Sequence, residues 1–205
     1  MDGIYFYWFS WIIWVVVTFF MNKTKKRTFI SCWILLSITT SNVYVTVYQY
    51  DMSLTFVSIL MGGFFLFSYI PRTTYHLFCA FTMMIGYSSI LIWEGQAPIW
   101  LFMPRYILIP LIAILMVCLL AKGLYPRIAI ILVGICSGEL LYCHMLSDYY
   151  ISKVIGEMVF FDTLLIILFG LICIEAIQTL KQNLVSIVQN YKRTHEKQTD
   201  IEVAK

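Results

Sequence analysis

From residue 3 to residue 177 the sequence repeats one pattern, an apolar stretch of about twenty residues followed by a short polar break. A helix needs roughly 20 apolar residues to cross a ~30 Å hydrocarbon layer. Seven stretches approach that length, over residues 3–21, 28–48, 52–70, 74–93, 105–121, 128–147 and 158–177. Inside hydrocarbon every backbone N–H and C=O needs an internal partner, which favours helices. Composition excludes a water-soluble alternative: apolar residues make up 61% of the chain and charged residues 12%, about half the usual charged share of a soluble domain. The expected fold is an all-α polytopic bundle over residues 1–177. A cytoplasmic amphipathic helix and frayed tail should follow over residues 178–205.

Orientation follows from charge. The connector Asn22–Arg27 places Lys23, Lys25, Lys26 and Arg27 between the first two apolar stretches. Cationic loops next to spans stay on the cytoplasmic side. Alternation then puts residues 71–73, residues 122–127 and the C-terminal tail on that side as well, collecting 12 of the 14 Lys and Arg residues. The opposite side keeps Arg105 and Lys153 together with Asp2, Asp51, Glu94, Asp148 and Glu157. The expected topology is N-terminus out and C-terminus in, in a multi-pass plasma-membrane protein. The N-terminus lacks a cationic region before its apolar stretch and reads as a retained helix rather than a cleaved signal. Tyr5, Tyr7 and Trp8 at the outer end of the first stretch read as interfacial anchors.

Two regions carry further expectations. Pro104 and Pro110 interrupt residues 95–110, so Arg105 lies either at the outer boundary beside Glu94 or several ångströms inside. It is then either a snorkelling anchor or a charge at the mouth of a cavity. After the seventh stretch, Leu180, Leu184, Ile187, Val188 and Tyr191 form an amphipathic stripe, suited to an anionic inner leaflet or to a membrane or cytoplasmic protein partner. The six cysteines all fall in apolar runs with no CxxC, and read as buried small hydrophobes.

Glu139 is the most informative side chain. It falls about 16 Å into the sixth stretch, near the bilayer midplane, where an ionised carboxylate costs about 2.5–3.5 kcal/mol. It should face the bundle, beside the close-approach spacing of Gly134 and Gly138. It is either a proton-accepting or ligand-binding carboxylate or a neutral Glu bonded to a neighbouring helix. His144 and Asp162 should meet across the hairpin of the last two spans, with Asp148 the competing partner of His144. Ser37, Thr39, Thr40, Ser41 and Asn42 either line a polar cavity opposite Glu139 or bond back to their own helix. Gly62 and Gly63 mark a close helix contact or a local break. Glu139 and His144 point about 140° apart on a helix, which argues against a shared metal shell. The sequence contains no HExxH, GxSxG or P-loop, and no cofactor, metal or nucleic acid is expected.

The aromatic first span, the Asn22–Arg27 connector and the Ser137-Gly138-Glu139 segment together resemble the YphA-type small integral membrane proteins of spore-forming Gram-positive bacteria. That family carries no assigned activity. The resemblance implies a bacterial plasma membrane and a role in envelope or spore assembly, and it supplies no catalytic residues. The leading expectation is a non-enzymatic protein that scaffolds or modulates envelope machinery, with an oligomer admitted. A carrier or channel for a small solute or protons, using Glu139, is the alternative, and a membrane-embedded enzyme comes third.

Overall fold

The computed structural model describes residues 3–47, 50–96, 104–147 and 154–203; the side chains of Lys26, Val47, Ile187, Val188, Asn190 and residues 191–203 lie outside the description. Seven helices occur among the described residues: α1 (Ile4–Phe20), α2 (Lys25–Thr40), α3 (Leu54–Ser68), α4 (Thr73–Gln96), α5 (Arg105–Leu120), α6 (Leu124–Ser147) and α7 (Met158–Val203). By length and composition α4, α6 and the Met158–Ser186 part of α7 can cross a membrane, whereas α1, α2, α3 and α5 are shorter apolar helices. Contacts divide the chain into Met1–Phe169 and Gly170–Lys205. The helix α7 runs on through Val203.

The core of the first unit is built on α6. Two thirds (67%) of its apolar window is buried, against 39% for that of α4. A helix apolar on every side belongs in the middle of a bundle, and α3, α4 and α5 pack around this one. The approach is closest to α4. A Cβ on Gly134 would lie 2.7 Å from the Met83 Cβ and 3.0 Å from the Ala80 carbonyl oxygen, and one on Gly138 would lie 3.0 Å from the Met84 carbonyl oxygen. Gly62 and Gly63 likewise mark close contacts within a continuous α3, Gly62 under the Trp33 ring and Gly63 against Leu132 and Val133 of α6. The outward surface is apolar too, with Phe20 81% and Leu119 80% exposed. Lipid is the solvent that accepts such a surface.

One segment departs from the expected all-helical chain. The second apolar stretch does not continue to residue 48, because α2 stops at Thr40. β1 (Tyr44–Val47) and β2 (Tyr50–Ser53) follow as an antiparallel pair in the register Tyr44 with Ser53 and Val47 with Tyr50. Val43 to Val47 are valine, threonine and tyrosine, residues that hydropathy counts as span and that local preference sends to strand. The hairpin is anchored by a third segment: Ser53 N–H donates to the Ile155 carbonyl at 3.0 Å, and Ile155 N–H donates to the Asp51 carbonyl at 2.8 Å. The neighbouring Gly156 has φ +77° and its absent Cβ would lie 2.7 Å from the Phe56 Cβ, so both conformation and space require glycine there.

Gly134→Ala is expected to destabilise the detergent-solubilised protein by about 1–3 kcal/mol, since neither the α4 backbone nor the Met83 Cβ can yield easily. Gly86→Ala meets only the end of the Met116 side chain and should be near neutral, helped by alanine's better helix propensity. Thermal unfolding of the two variants checks the difference; equal losses would mean the α4–α6 approach is not what the glycines provide.

Candidate functional site

The glycines that bring α6 onto α4 also place Glu139, the residue after Gly138, against that helix. Glu139 is 4% exposed, and the Tyr87 hydroxyl, itself buried, donates to Glu139 Oε2 at 3.2 Å. That is long for an O–H···O bond, whose usual distance is about 2.7–2.8 Å. Cys136 and Cys143 are buried on the same helix. Glu139 therefore faces the bundle as expected, and its hydroxyl partner comes from α4 rather than from the polar end of α2.

That end of α2 is used locally. Ser37 donates to the Trp33 carbonyl at 3.0 Å, Thr39 to the Leu36 carbonyl at 3.0 Å, Thr40 to the Leu36 carbonyl at 2.7 Å and Ser41 to the Ile38 carbonyl at 2.9 Å. Ser41 Oγ also meets the Tyr7 hydroxyl at 2.9 Å and Thr40 Oγ1 meets Thr55 Oγ1 at 2.8 Å. These hydroxyls satisfy one another and their own backbone at the α1–α2–α3 junction. A polar cavity opposite Glu139 is not what they build.

Two turns along α4 from Tyr87, Glu94 meets Arg105 at the start of α5, with Arg105 Nε 3.6 Å from Glu94 Oε2. Both side chains are partly exposed, although Arg105 Nε itself is buried and too far from the carboxylate for a hydrogen bond. Residues 97–103, in the stretch leading to it, lie outside the described residues, as do Asp148 and Lys153.

The expected pairing of His144 with Asp162 does not form. His144 Nδ1 lies 3.0 Å from the Tyr50 hydroxyl of β2, which also meets Ser147 Oγ at 2.8 Å. Asp162 is instead 1% exposed and accepts from the Gly3 backbone N–H at 2.9 Å and the Phe6 backbone N–H at 2.7 Å. The physical reason is that the first N–H groups of a helix have no partner within it. A buried carboxylate gains more from two such donors and the helix dipole than from an exposed imidazole.

The profile of a family described as YphA-like integral membrane protein matches residues 2–197. The chain belongs to this family. A relative from Bacillus subtilis (strain 168), "Uncharacterized protein YphA", is 24% identical over 160 residues, covering 77% of each chain. No solved structure matches. The family description states where such proteins reside, in the membrane.

In this YphA-like chain several residues act in ways their spacing did not announce. Arg127, expected in an inner connector, is buried within α6 and its Nε donates to the Ala121 carbonyl at 2.9 Å. Tyr75 donates to the Leu120 carbonyl at 2.9 Å. Together they satisfy carbonyls that the end of α5 leaves open. Arg27, expected as a topology signal, also donates from Nη1 to the Thr18 carbonyl near the end of α1 at 3.3 Å. Of the cysteines, Cys79, Cys136 and Cys143 are buried as expected, but Cys32 is exposed and Cys118 and Cys173 are half-buried. On an apolar outer surface such a side chain meets lipid rather than core, at similar cost.

Asp162→Ala should cost about 1–3 kcal/mol by leaving two buried N–H groups without an acceptor. Asp162→Asn, which keeps one carbonyl oxygen, should cost less. Unfolding midpoints in detergent distinguish them, and an Ala variant as stable as the parent would remove the carboxylate from its place at the head of α1.

Proposed function

We propose that this YphA-like protein is a seven-span plasma-membrane scaffold, N-terminus out and C-terminus in, that organises cell-envelope machinery through helix contacts and its cytoplasmic tail and catalyses no reaction itself. The observation that carries the reading is the enclosure of Glu139, held between α6 and α4 with a hydroxyl partner and almost no exposed surface. A carrier needs its exchanging group to reach water from each side in turn. A carboxyl group locked into a glycine-mediated helix contact serves packing and specificity instead.

Seven spans are supported by the apolar surfaces of all seven helices, although four have only 15 to 17 residues. At 1.5 Å per residue these measure about 23–26 Å. Tilt of the longer helices and local bilayer thinning absorb a mismatch of this size at modest cost. The cations support the orientation, with Lys23, Lys25, Arg72 and Lys122 exposed at one set of connectors. The tail supports a docking role: Leu180 and Leu184 are 62% and 63% exposed, while Ile187, Val188 and Tyr191, the rest of the stripe, lie outside the described side chains. The family supports membrane residence alone; the envelope role, and spore assembly as its narrower form, belong to the proposal.

Glu139→Gln, which preserves shape and an acceptor for Tyr87, is expected to leave stability within about 0.5 kcal/mol of the parent and to leave envelope function intact. Affinity capture from solubilised membranes should lose partners when residues 178–205 are removed. Identical partners with and without the tail would defeat the scaffold reading. Proton-coupled uptake in proteoliposomes that is abolished by Glu139→Gln would establish the carrier instead.

A further inference from the structure

The α2–α3 pair carries a feature that neither packing nor orientation uses. The two helices run antiparallel, as shown by contacts from Phe29 with Phe65 to Thr40 with Thr55. Between them an open groove of about 440 Å³ is lined chiefly by Phe29, Cys32, Trp33, Leu36, Met61 and Phe65. Its floor is apolar because the one polar atom of Trp33 is engaged: the indole N–H donates to Ser58 Oγ at 2.8 Å, while the ring covers Gly62.

One end of the groove is cationic. Lys25, Phe29, Cys32 and Leu36 follow one another at i, i+4, i+7 and i+11, so Lys25 lies on the groove face of α2 one turn beyond Phe29. Lys23 and Lys25 are exposed. Arg72, in the turn that follows α3, is exposed at the same end and adopts φ 59°. An apolar trough with three exposed cations at one end matches an amphiphile with an anionic head and a hydrocarbon tail. Basic sites between helices on the cytoplasmic side are where anionic head groups are held.

We propose that the α2–α3 groove is a binding site for an anionic phospholipid, its acyl chain along Phe29, Cys32 and Leu36 and its phosphate at Lys23, Lys25 and Arg72. The assignment rests on α2 and α3 lying in the bilayer with their Lys25 and Ser68 ends inward. It is independent of what the tail recruits.

The test uses the full-length protein in nanodiscs of mixed phosphatidylglycerol and phosphatidylcholine, with co-purifying lipid measured by native mass spectrometry. Phosphatidylglycerol should be retained in preference. The Lys23→Gln/Lys25→Gln variant should lower that preference roughly tenfold or more. Met61→Trp, at a position 66% exposed where a larger ring enters the groove without displacing core, should lower retention of either lipid. Bound lipid should also slow alkylation of Cys32 by N-ethylmaleimide, read at the peptide level. Thermal unfolding confirms that both variants fold. Retention unchanged in both variants overturns the site. Loss with the lysine variant but not with Met61→Trp reduces it to surface attraction, which also overturns it. Labelling of Asn22→Cys by an impermeant maleimide reports separately on the membrane placement. If the connector is not reached from the inner side, the span reading fails; if it is reached and lipid preference is absent, only the lipid site fails.

Discussion

The contact on which the rest of this structure depends is the close approach of α4 to α6. Hydrocarbon offers helices no hydrophobic incentive to associate, so packing and hydrogen bonds must hold them together. Gly134 and Gly138 remove two side chains and let α4 settle against the α6 backbone, within 3.0 Å of where a Cβ would stand. The same approach brings Tyr87 to Glu139. A polar group costly to bury alone becomes, in that contact, a partner that fixes register between the two helices.

A second constraint runs through the helix ends. Each helix leaves backbone groups open at its termini, and in a low-dielectric setting these are expensive to leave unpaired. The chain meets the demand with side chains far away in sequence: Asp162 for the first N–H groups of α1, Tyr75 and Arg127 for the last carbonyls of α5, and Arg27 for a carbonyl of α1. Several charged residues thereby serve the fold before they serve any ligand. The antiparallel pair of β1 and β2 acts in the same sense, since its pairing with Ile155 satisfies backbone that a helix would otherwise have satisfied internally.

The aromatic content is distributed between these two tasks. Phe6 with Phe161, and Phe56 with Phe160, join α1 and α3 to the first turns of α7 at centroid distances of 5.1 and 5.4 Å. Trp8, Phe20 and Phe78 are exposed and face the apolar solvent. Between these groups sits the Trp33 ring over Gly62, which seals the floor of the α2–α3 groove while leaving its rim open.

Residue order alone determined the class of this protein, because apolar run length, sparse charge and clustered cations are properties of a linear chain. It also determined the inward aim of Glu139 and the close approach at Gly134 and Gly138, since a carboxyl group in mid-span and a GxxxG spacing each admit few environments, whereas at Gly62 it left a close contact and a local break equally open. The tertiary structure alone decided who meets whom. Asp162 is bonded to Phe6 across 156 positions, and no local pattern distinguishes that partner from His144. The turn from helix to strand after Thr40 was decided in the same way. Hydropathy scores Val43 to Val47 as span, whereas Ile155, more than a hundred residues on, supplies the edge that makes extended backbone affordable there. Apolar burial has no direction and can be read from composition; a hydrogen bond has direction and a single partner, which exists only once the helices have assembled.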